Sequence, residues 1–413
     1  MSGIFIFVYR KAAYTENTYT WLPGAYSGRT EEALSGQETS GCQCLQKEKE
    51  VRAAPSLALR KGAPESVSNA HLRGKTMKIA MLGGAGFVGS HLTQAYLHAG
   101  HDVFVIDNLV HGAREAVDPR ARFYHLDIRD GKLQAVLQAE RPDIVSYHAV
   151  QRERTLPCEG SLIDADVHIR GLLNVLDGCV NAQVTKLIFA SGGNSLYRRH
   201  ALQSSASDLP VHEDVEVHPQ RPQDISKIAG EWYVRYYTRQ YRLPHLILRY
   251  ADIYGEMDAV RAWHPLTALL AQLMYRRRPI IRGTDRNVRD HIFIDDVVRA
   301  NLAALERGYN ETLHISSARG YTLKQFYRAA TRALQSDILP VYASLSPTEP
   351  DAMILDNRRA SLVLGWQPEV DFLAGVDLAV ERFCGSPVTV SGGPLTLERL
   401  ELRELPARAT ALV

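Results

Sequence analysis

The sequence predicts an α/β protein: a doubly wound parallel sheet followed by a smaller C-terminal lobe. Three observations carry this expectation. From Met77 to Tyr254, short runs rich in Val, Ile and Leu alternate with helical patterns, the rhythm of parallel βαβ units buried on both sheet faces. The first run leads directly into a cluster of glycines that opens a helix. The composition is that of an ordinary folded chain, 45% hydrophobic and 23% charged over 413 residues.

The elements follow in order. Strands are expected at Lys78–Leu82, Asp102–Ile106, Arg122–His125, Ile144–Tyr147, Lys186–Ala190 and His245–Arg249, each a short apolar or aromatic run. Helices are expected between them at Gly86–Ala99, Gly131–Glu140, Leu162–Val180 and Pro222–Tyr241. Beyond Tyr254 the rhythm becomes irregular, with helical patterns at Pro265–Arg276 and Leu323–Leu334. The expected organisation is a dinucleotide-binding unit over 77–253 and a substrate lobe over 254–385 that returns a strand to the sheet, with a tail over 386–413. Residues 1–76 read differently: no sustained period, and breaks at Pro55, Gly62, Pro64 and Gly74. They are expected to be a disordered leader or an upstream mis-start, with the functional protein beginning at Met77.

Composition also excludes several classes. A formal net charge of +2 argues against nucleic acid or an anionic membrane surface as partner. No stretch approaches the roughly 20 apolar residues of a membrane helix, and the apolar run Ile4–Tyr9 is too short for a signal peptide. Five scattered cysteines, Cys42, Cys44, Cys158, Cys179 and Cys384, show neither metal-ligand spacing nor a disulfide framework, so a reducing, cytoplasmic location is expected and no metal.

The strongest motif is Gly83-Gly84-Ala85-Gly86-Phe87-Val88-Gly89, between the first strand and its helix. Glycines there allow a tight turn, close approach of backbone to a pyrophosphate and close helix–strand packing. The helix N-terminus offers unpaired N–H groups and the positive dipole end. Asp107 ends the second strand some 20 residues on, where a carboxylate accepts ribose hydroxyls and repels a 2′-phosphate, so NAD is favoured over NADP. Asp127, after the third strand, is read either as an adenine contact or as a helix N-cap.

With these residues placed, the sequence resembles the extended short-chain dehydrogenase/reductase family, the NAD-dependent epimerase/dehydratase group of which UDP-glucose 4-epimerase is the best-known type. Further stretches match in order: Asp107-Asn108-Leu109, Ala149-Val150-Gln151, Arg249-Tyr250-Ala251-Asp252-Ile253-Tyr254-Gly255, Arg289-Asp290 with Ile294-Asp295-Asp296-Val297, and Leu364-Gly365-Trp366 with Pro368. The resemblance covers roughly Met77 to Phe383. It implies a Rossmann-type sheet, tightly held NAD and a nucleotide-sugar substrate. It assigns cofactor contacts to Gly83, Gly86, Phe87, Val88, Gly89, Asp107, Asn108, Asp127, Ile128, Gln151 and Lys227. It assigns substrate contacts to Asp252 and Arg289, and a homodimer built from the helices over 162–180 and 222–241.

The family's proton-transfer pair is Tyr-x-x-x-Lys on one helix face, the Lys lowering the Tyr pKa. Here Pro222-Gln223-Asp224-Ile225-Ser226-Lys227 keeps Lys227 and places Gln223 at the Tyr position; no Tyr-x-x-x-Lys occurs anywhere in the chain. An amide does not titrate near neutrality and cannot act as general base. Gly193 stands at the family Ser/Thr position, leaving Ser191 and Ser195 as nearby hydroxyls. His168 replaces an Asn, Asp252 another Asn, and Thr348 a nucleotide-directed Arg. Asp224, Tyr197, His148, Tyr147 and His168 are the remaining candidates for a base, each with a structural reading beside it: a first-turn helix acid, packing residues, a satisfied helix histidine. Arg276, Arg277, Arg278, Arg282, Arg286 and Arg289 form a cluster suited to a diphosphate or to a solvated face. Two functions stay open: an NAD-dependent enzyme with a rearranged proton acceptor, or an NAD-holding relative without turnover that acts as sensor or scaffold.

Overall fold

The computed structural model describes residues 75–151, 157–197, 210–255, 265–284, 287–343 and 352–385. The expectations for residues 1–74, Arg286, Thr348 and the tail 386–413 lie outside the described residues.

In chain order the elements are β1 (Lys78–Leu82), α1 (Phe87–His98), β2 (Asp102–Asp107), β3 (Arg122–His125), α2 (Lys132–Glu140), β4 (Ile144–Tyr147), α3 (Pro157–Ala165), a π-helical turn (Asp166–Gly171), α4 (Leu172–Asn181), β5 (Lys186–Gly192), α5 (Pro222–Tyr241) and β6 (His245–Tyr250). Then come β7 (Asp252–Tyr254), α6 (Pro265–Met274), β8 (Ile280–Arg282), β9 (Val288–Phe293), α7 (Ile294–Glu306), β10 (Glu311–Ile315), β11 (Gly320–Thr322), α8 (Leu323–Ala333), β12 (Val341–Ala343), β13 (Ala352–Met353), α9 (Arg358–Leu364) and α10 (Phe372–Gly385).

Seven strands form one sheet in the order β10-β6-β5-β4-β1-β2-β3, every pairing parallel. The residues of β1 explain why both faces must be covered. Ile79 and Met81 join Leu92 and Tyr96 of α1 and Val297 and Ala300 of α7 in one core layer. Ala80 and Leu82 point the other way, into a second layer with Leu133 and Leu137 of α2 and Leu176 of α4. Each buried aliphatic side chain contributes roughly 1.5–3 kcal/mol, so strand interiors hold the fold and the strand ends are free to carry polar groups. From β1 the chain runs outward through β2 to β3 and then crosses back to β4 on the other side of β1. That reversal opens a crevice at the carboxyl ends of the strands.

Two departures from the sequence reading have physical causes. The helix expected over 162–180 begins earlier and is interrupted by the π-helical turn. Such turns often mark functional positions, and this one carries His168. The seventh strand β10 reads Glu-Thr-Leu-His-Ile: as an edge strand it pairs only with β6, so it lacks the continuous apolar run of its inner neighbours. The smaller sheets, β11-β9-β13 with β7 on β9, and β12-β8, belong to the chain beyond Asp252.

Candidate dinucleotide site

A cleft of about 440 Å³ runs along the carboxyl ends of the parallel strands. It gathers Gly83, Gly86–Gly89, Asp107, Asn108, Ile128, Gln151, Ser191, Ser195, Gln223, Lys227 and Asp252, which come from seven separate segments. Asp127 and Arg289 do not line it.

The glycine turn is forced by its geometry. Gly83 has φ +83°, and a Cβ there would lie 2.7 Å from the backbone of His148 and Ala149. A Cβ on Gly89 would lie 2.1 Å from the Gly83 carbonyl oxygen. The turn closes through Gly83 N–H to Ile106 O (2.9 Å) and Gly86 N–H to Gly83 O (3.2 Å). Gly86 caps α1 without a side chain, and the first helical turn contains no acidic residue. The amides of Phe87, Val88 and Gly89 therefore face the cleft as open donors. Asp107 accepts from Ala85 N–H (3.0 Å) through one oxygen and Leu109 N–H (2.8 Å) through the other. A carboxylate has about four acceptor positions, so capacity remains for two vicinal hydroxyls. These features fit a dinucleotide: donors for its diphosphate, a carboxylate for its ribose, and a floor that a single methyl would fill.

Around this turn the other residues have defined places. Asn108 donates from Nδ2 to Asp127 (2.8 Å). Arg129 clasps the same carboxylate through Nε and Nη2, both at 2.8 Å, and holds it well below the usual carboxylate range. The N-cap alternative for Asp127 is not what the fold uses: Asp130 accepts the Lys132 amide (2.9 Å) at the start of α2. His168 Nε2 lies 3.2 Å from the Gln151 amide nitrogen. Its burial, with the Lys227 charge nearby, pulls the imidazole down to about 3.

At the β5–β6 end, Lys227 Nζ donates to Ala190 O (2.8 Å). Burial pulls its ammonium down to about 8, opposed by the carboxylates of Asp164 and Glu231. Gln223, one helical turn earlier, is half-buried in the cleft wall. Ser191 donates to Glu231 (2.7 Å), so its proton is committed. Ser195 donates to Asp224 (2.6 Å), which also accepts from Arg221 Nε (2.9 Å). His148 bridges Tyr250 Oη (3.1 Å) and Ser146 Oγ (3.3 Å), and Tyr250 donates on to Asn301 (3.0 Å). Tyr197 is not in the cleft: its hydroxyl lies 2.6 Å from His314 Nε2 and accepts from Arg249 (2.8 Å). Tyr147 packs in the second core layer. Arg278 is spent on the Leu339 and Pro340 carbonyls, and Arg289 Nη1 donates to Val288 O.

Sequence reasoning named Asp224 but did not single out Arg221, which holds it, or Asp164, which accepts from Ser226 (2.5 Å) and raises the Lys227 pKa. The i,i+3 spacing of Arg221 and Asp224 at the start of α5 was the available signal for that pair.

The fold and cleft define a dinucleotide-binding α/β protein of the doubly wound class. Its sequence matches the family model "NAD dependent epimerase/dehydratase family" over residues 79–315, and the chain belongs to that family. It is 30% identical to the UDP-glucose 4-epimerase of Lacticaseibacillus casei over 314 residues, covering 71% of this chain and 93% of that one. Its structure is similar to that of the UDP-glucose 4-epimerase of Thermotoga maritima solved with UDP-glucose (32% identity, TM-score 0.69, 75% of this chain and 99% of that one). It is likewise similar to the UDP-glucose 4-epimerase of Thermus thermophilus solved with NAD (28% identity, TM-score 0.68, 75% and 100%).

Proposed function

We propose that this chain is an NAD-dependent epimerase acting on a UDP-sugar. The supporting observation is one cleft that joins the Gly83–Gly89 turn and Asp107 to Lys227, in a chain of this family. The Phe87–Gly89 amides would hold the diphosphate, Asp107 the adenosine ribose and Lys227 the nicotinamide ribose. When bound, NAD supplies a reversible two-electron acceptor for a sugar carbon. Asn108, Ile128 and Gln151 complete the cofactor wall, and Asp252 faces the sugar. Arg289 and Asp127 act from outside the cleft: Asp127 fixes Asn108, and Arg289 belongs to the lobe over 254–385 that closes on the nucleotide. Gln223 favours the second reading, an NAD-holding protein without turnover.

One experiment separates the two. The purified full chain is expected to carry bound NAD and to interconvert UDP-glucose and UDP-galactose, read by chromatography of the nucleotide pool. Retained NAD with no conversion of any UDP-hexose would establish the second reading. A purified chain that holds no NAD and gives no calorimetric response when NAD is added would end both.

The same helices that build the cleft also support a homodimer. Exposed Ile225, Trp232 and Tyr236 repeat at heptad-like spacing along α5, with Trp232 64% exposed, and Leu162 stands exposed on neighbouring α3. An apolar stripe of this kind fits a second copy of the same two helices. Trp232→Glu is expected to convert a dimer to a monomer in sedimentation. A wild-type chain that sediments as a monomer would remove this part of the proposal. No described helix is long and apolar enough to cross a membrane; the fully buried free thiol of Cys179 suits the reducing cytoplasm proposed as its location.

A further inference from the structure

We propose that Asp224, acting through the hydroxyl of Ser195, is the proton acceptor that takes the place of the missing tyrosine. This inference rests on the epimerase reading above.

The groups at the β5–β6 end of the cleft leave few alternatives. Tyr250 donates its proton to Asn301 and receives a hydrogen bond from His148 Nε2; burial pushes its phenol upward. His148 is occupied at both ring nitrogens, so it has no lone pair for a ligand. Lys227 is a cation held on a carbonyl. Ser191 is committed to Glu231. Among the described residues at this end of the cleft two carboxylates remain, Asp224 and Asp252. Asp252 is about one-third exposed and stands beside His291. Asp224 is joined to the hydroxyl of Ser195, which lines the cleft beside it.

The geometry of that junction is specific. The side chain of Asp224 is 6% exposed. Ser195 gives its only proton to Asp224 Oδ1 at 2.6 Å, a short charge-assisted bond. The Ser195 oxygen therefore keeps its lone pairs for an incoming donor, such as a sugar hydroxyl. Arg221 fixes the carboxylate from the other side, Nε to Oδ2 at 2.9 Å and Nη2 to Oδ1 at 3.2 Å. A Cβ on Gly192 would lie 3.4 Å from Ser195 Oγ, so the hydroxyl sits over the end of β5 among the cleft residues.

The step balances without a further reagent. The sugar carbinol is oxidised to a ketone as its carbon-bound hydrogen leaves with the bonding pair for the nicotinamide. The hydroxyl proton passes to Ser195 Oγ while the Ser195 proton passes to Asp224 Oδ1. Reversal returns both hydrogens to the sugar, and the carboxylate and hydroxyl are regenerated.

Because the two residues act as a unit, the test is a double-mutant cycle on the full chain. Asp224→Asn and Ser195→Ala are each expected to lower kcat about 10²–10⁴-fold, the usual worth of a general base, with KM within threefold. The double variant is expected to be no slower than the slower single one, and Asp224→Glu to recover part of the rate. Bound NAD per chain and calorimetric UDP affinity are expected to match wild type. Asp224→Asn turning over at the wild-type rate, losses that multiply in the double variant, or NAD content falling in step with kcat would each overturn the proposal. If wild type turns over and Asp224→Asn keeps pace, only this inference fails. If wild type holds NAD and UDP yet converts no UDP-hexose, the epimerase reading fails and takes this inference with it.

Discussion

Gly89→Ala is expected to abolish useful NAD binding. The added Cβ would fall 2.1 Å from Gly83 O and 2.8 Å from Gly84 Cα. Both are backbone atoms of the turn, which cannot swing aside as a side chain can. Either the turn opens or α1 moves outward. In each case the Phe87–Gly89 amides are displaced from the geometry that a diphosphate needs, and hydrogen bonds weaken steeply once distance and angle leave their narrow range. Losing two such charge-assisted bonds at roughly 1.5–3 kcal/mol each corresponds to at least about 100-fold in affinity. NAD content of the purified chains, and calorimetry with NAD once the bound cofactor has been stripped, measure it. Gly131→Ala is the control: nothing lies within 4 Å of its added Cβ and its φ is −59°, so it should bind NAD as wild type does. Retention of NAD affinity within threefold in Gly89→Ala would show that the turn is not the phosphate cradle.

The glycine cradle was legible because its constraint is local. Strand, turn and helix are contiguous from Lys78 to His98, and only glycine tolerates both the positive φ at Gly83 and the close approach at Gly89. The inner strands were legible for a related reason: burial on both faces leaves continuous apolar runs such as Lys78–Leu82 and Asp102–Asp107. Edge strand β10 has no such run, and its place beside β6 depends on a pairing far away in sequence. The polar contacts at the far end of the cleft were harder to read. Asp224 looks like any acid in a first helical turn; what distinguishes it is Ser195, 29 residues away. Tyr197 stood open between a cleft group and a packing residue, and its hydroxyl, held by Arg249 and His314, makes it the latter. Lys227 was placed by its motif, but the carboxylates that tune it, Asp164 and Glu231, come from α3 and from the next helical turn.

Arg249→Met is expected to destabilise the chain by about 3–5 kcal/mol, the cost of stranding a buried charge. Arg249 lies in a stretch that the sequence matches mark, and the structure pairs it with Glu231. Glu231 of α5 is wholly buried and accepts from Arg249 Nε (2.9 Å) and Nη2 (2.7 Å) on β6, from Ser191 (2.7 Å) on β5 and from Arg235 (3.1 Å). Burial alone would raise its carboxyl; the Arg249 guanidinium, with Ser191 and Arg235 beside it, outweighs that, and the net displacement is downward. In wild type this depressed group adds stability above its unfolded value near 4.5 that is lost as pH falls. With Met at 249, burial dominates and the Glu231 pKa rises above its unfolded value. Its contribution then reverses: stability falls as pH climbs from about 4.5 through the new, higher value. The deficit against wild type should therefore be largest near neutrality and shrink below about pH 5, as read by denaturant midpoints across pH. Adding Glu231→Gln to Arg249→Met should recover part of the loss at pH 7, because the stranded charge is gone. A deficit under 1 kcal/mol, or one that is constant from pH 4 to 8, would show that the pair does not carry this charge balance. The consequence reaches the cleft as well: Ser191 lines it and hangs on the same carboxylate, so the ion pair that joins α5 to β6 also fixes the wall against which the substrate must fit.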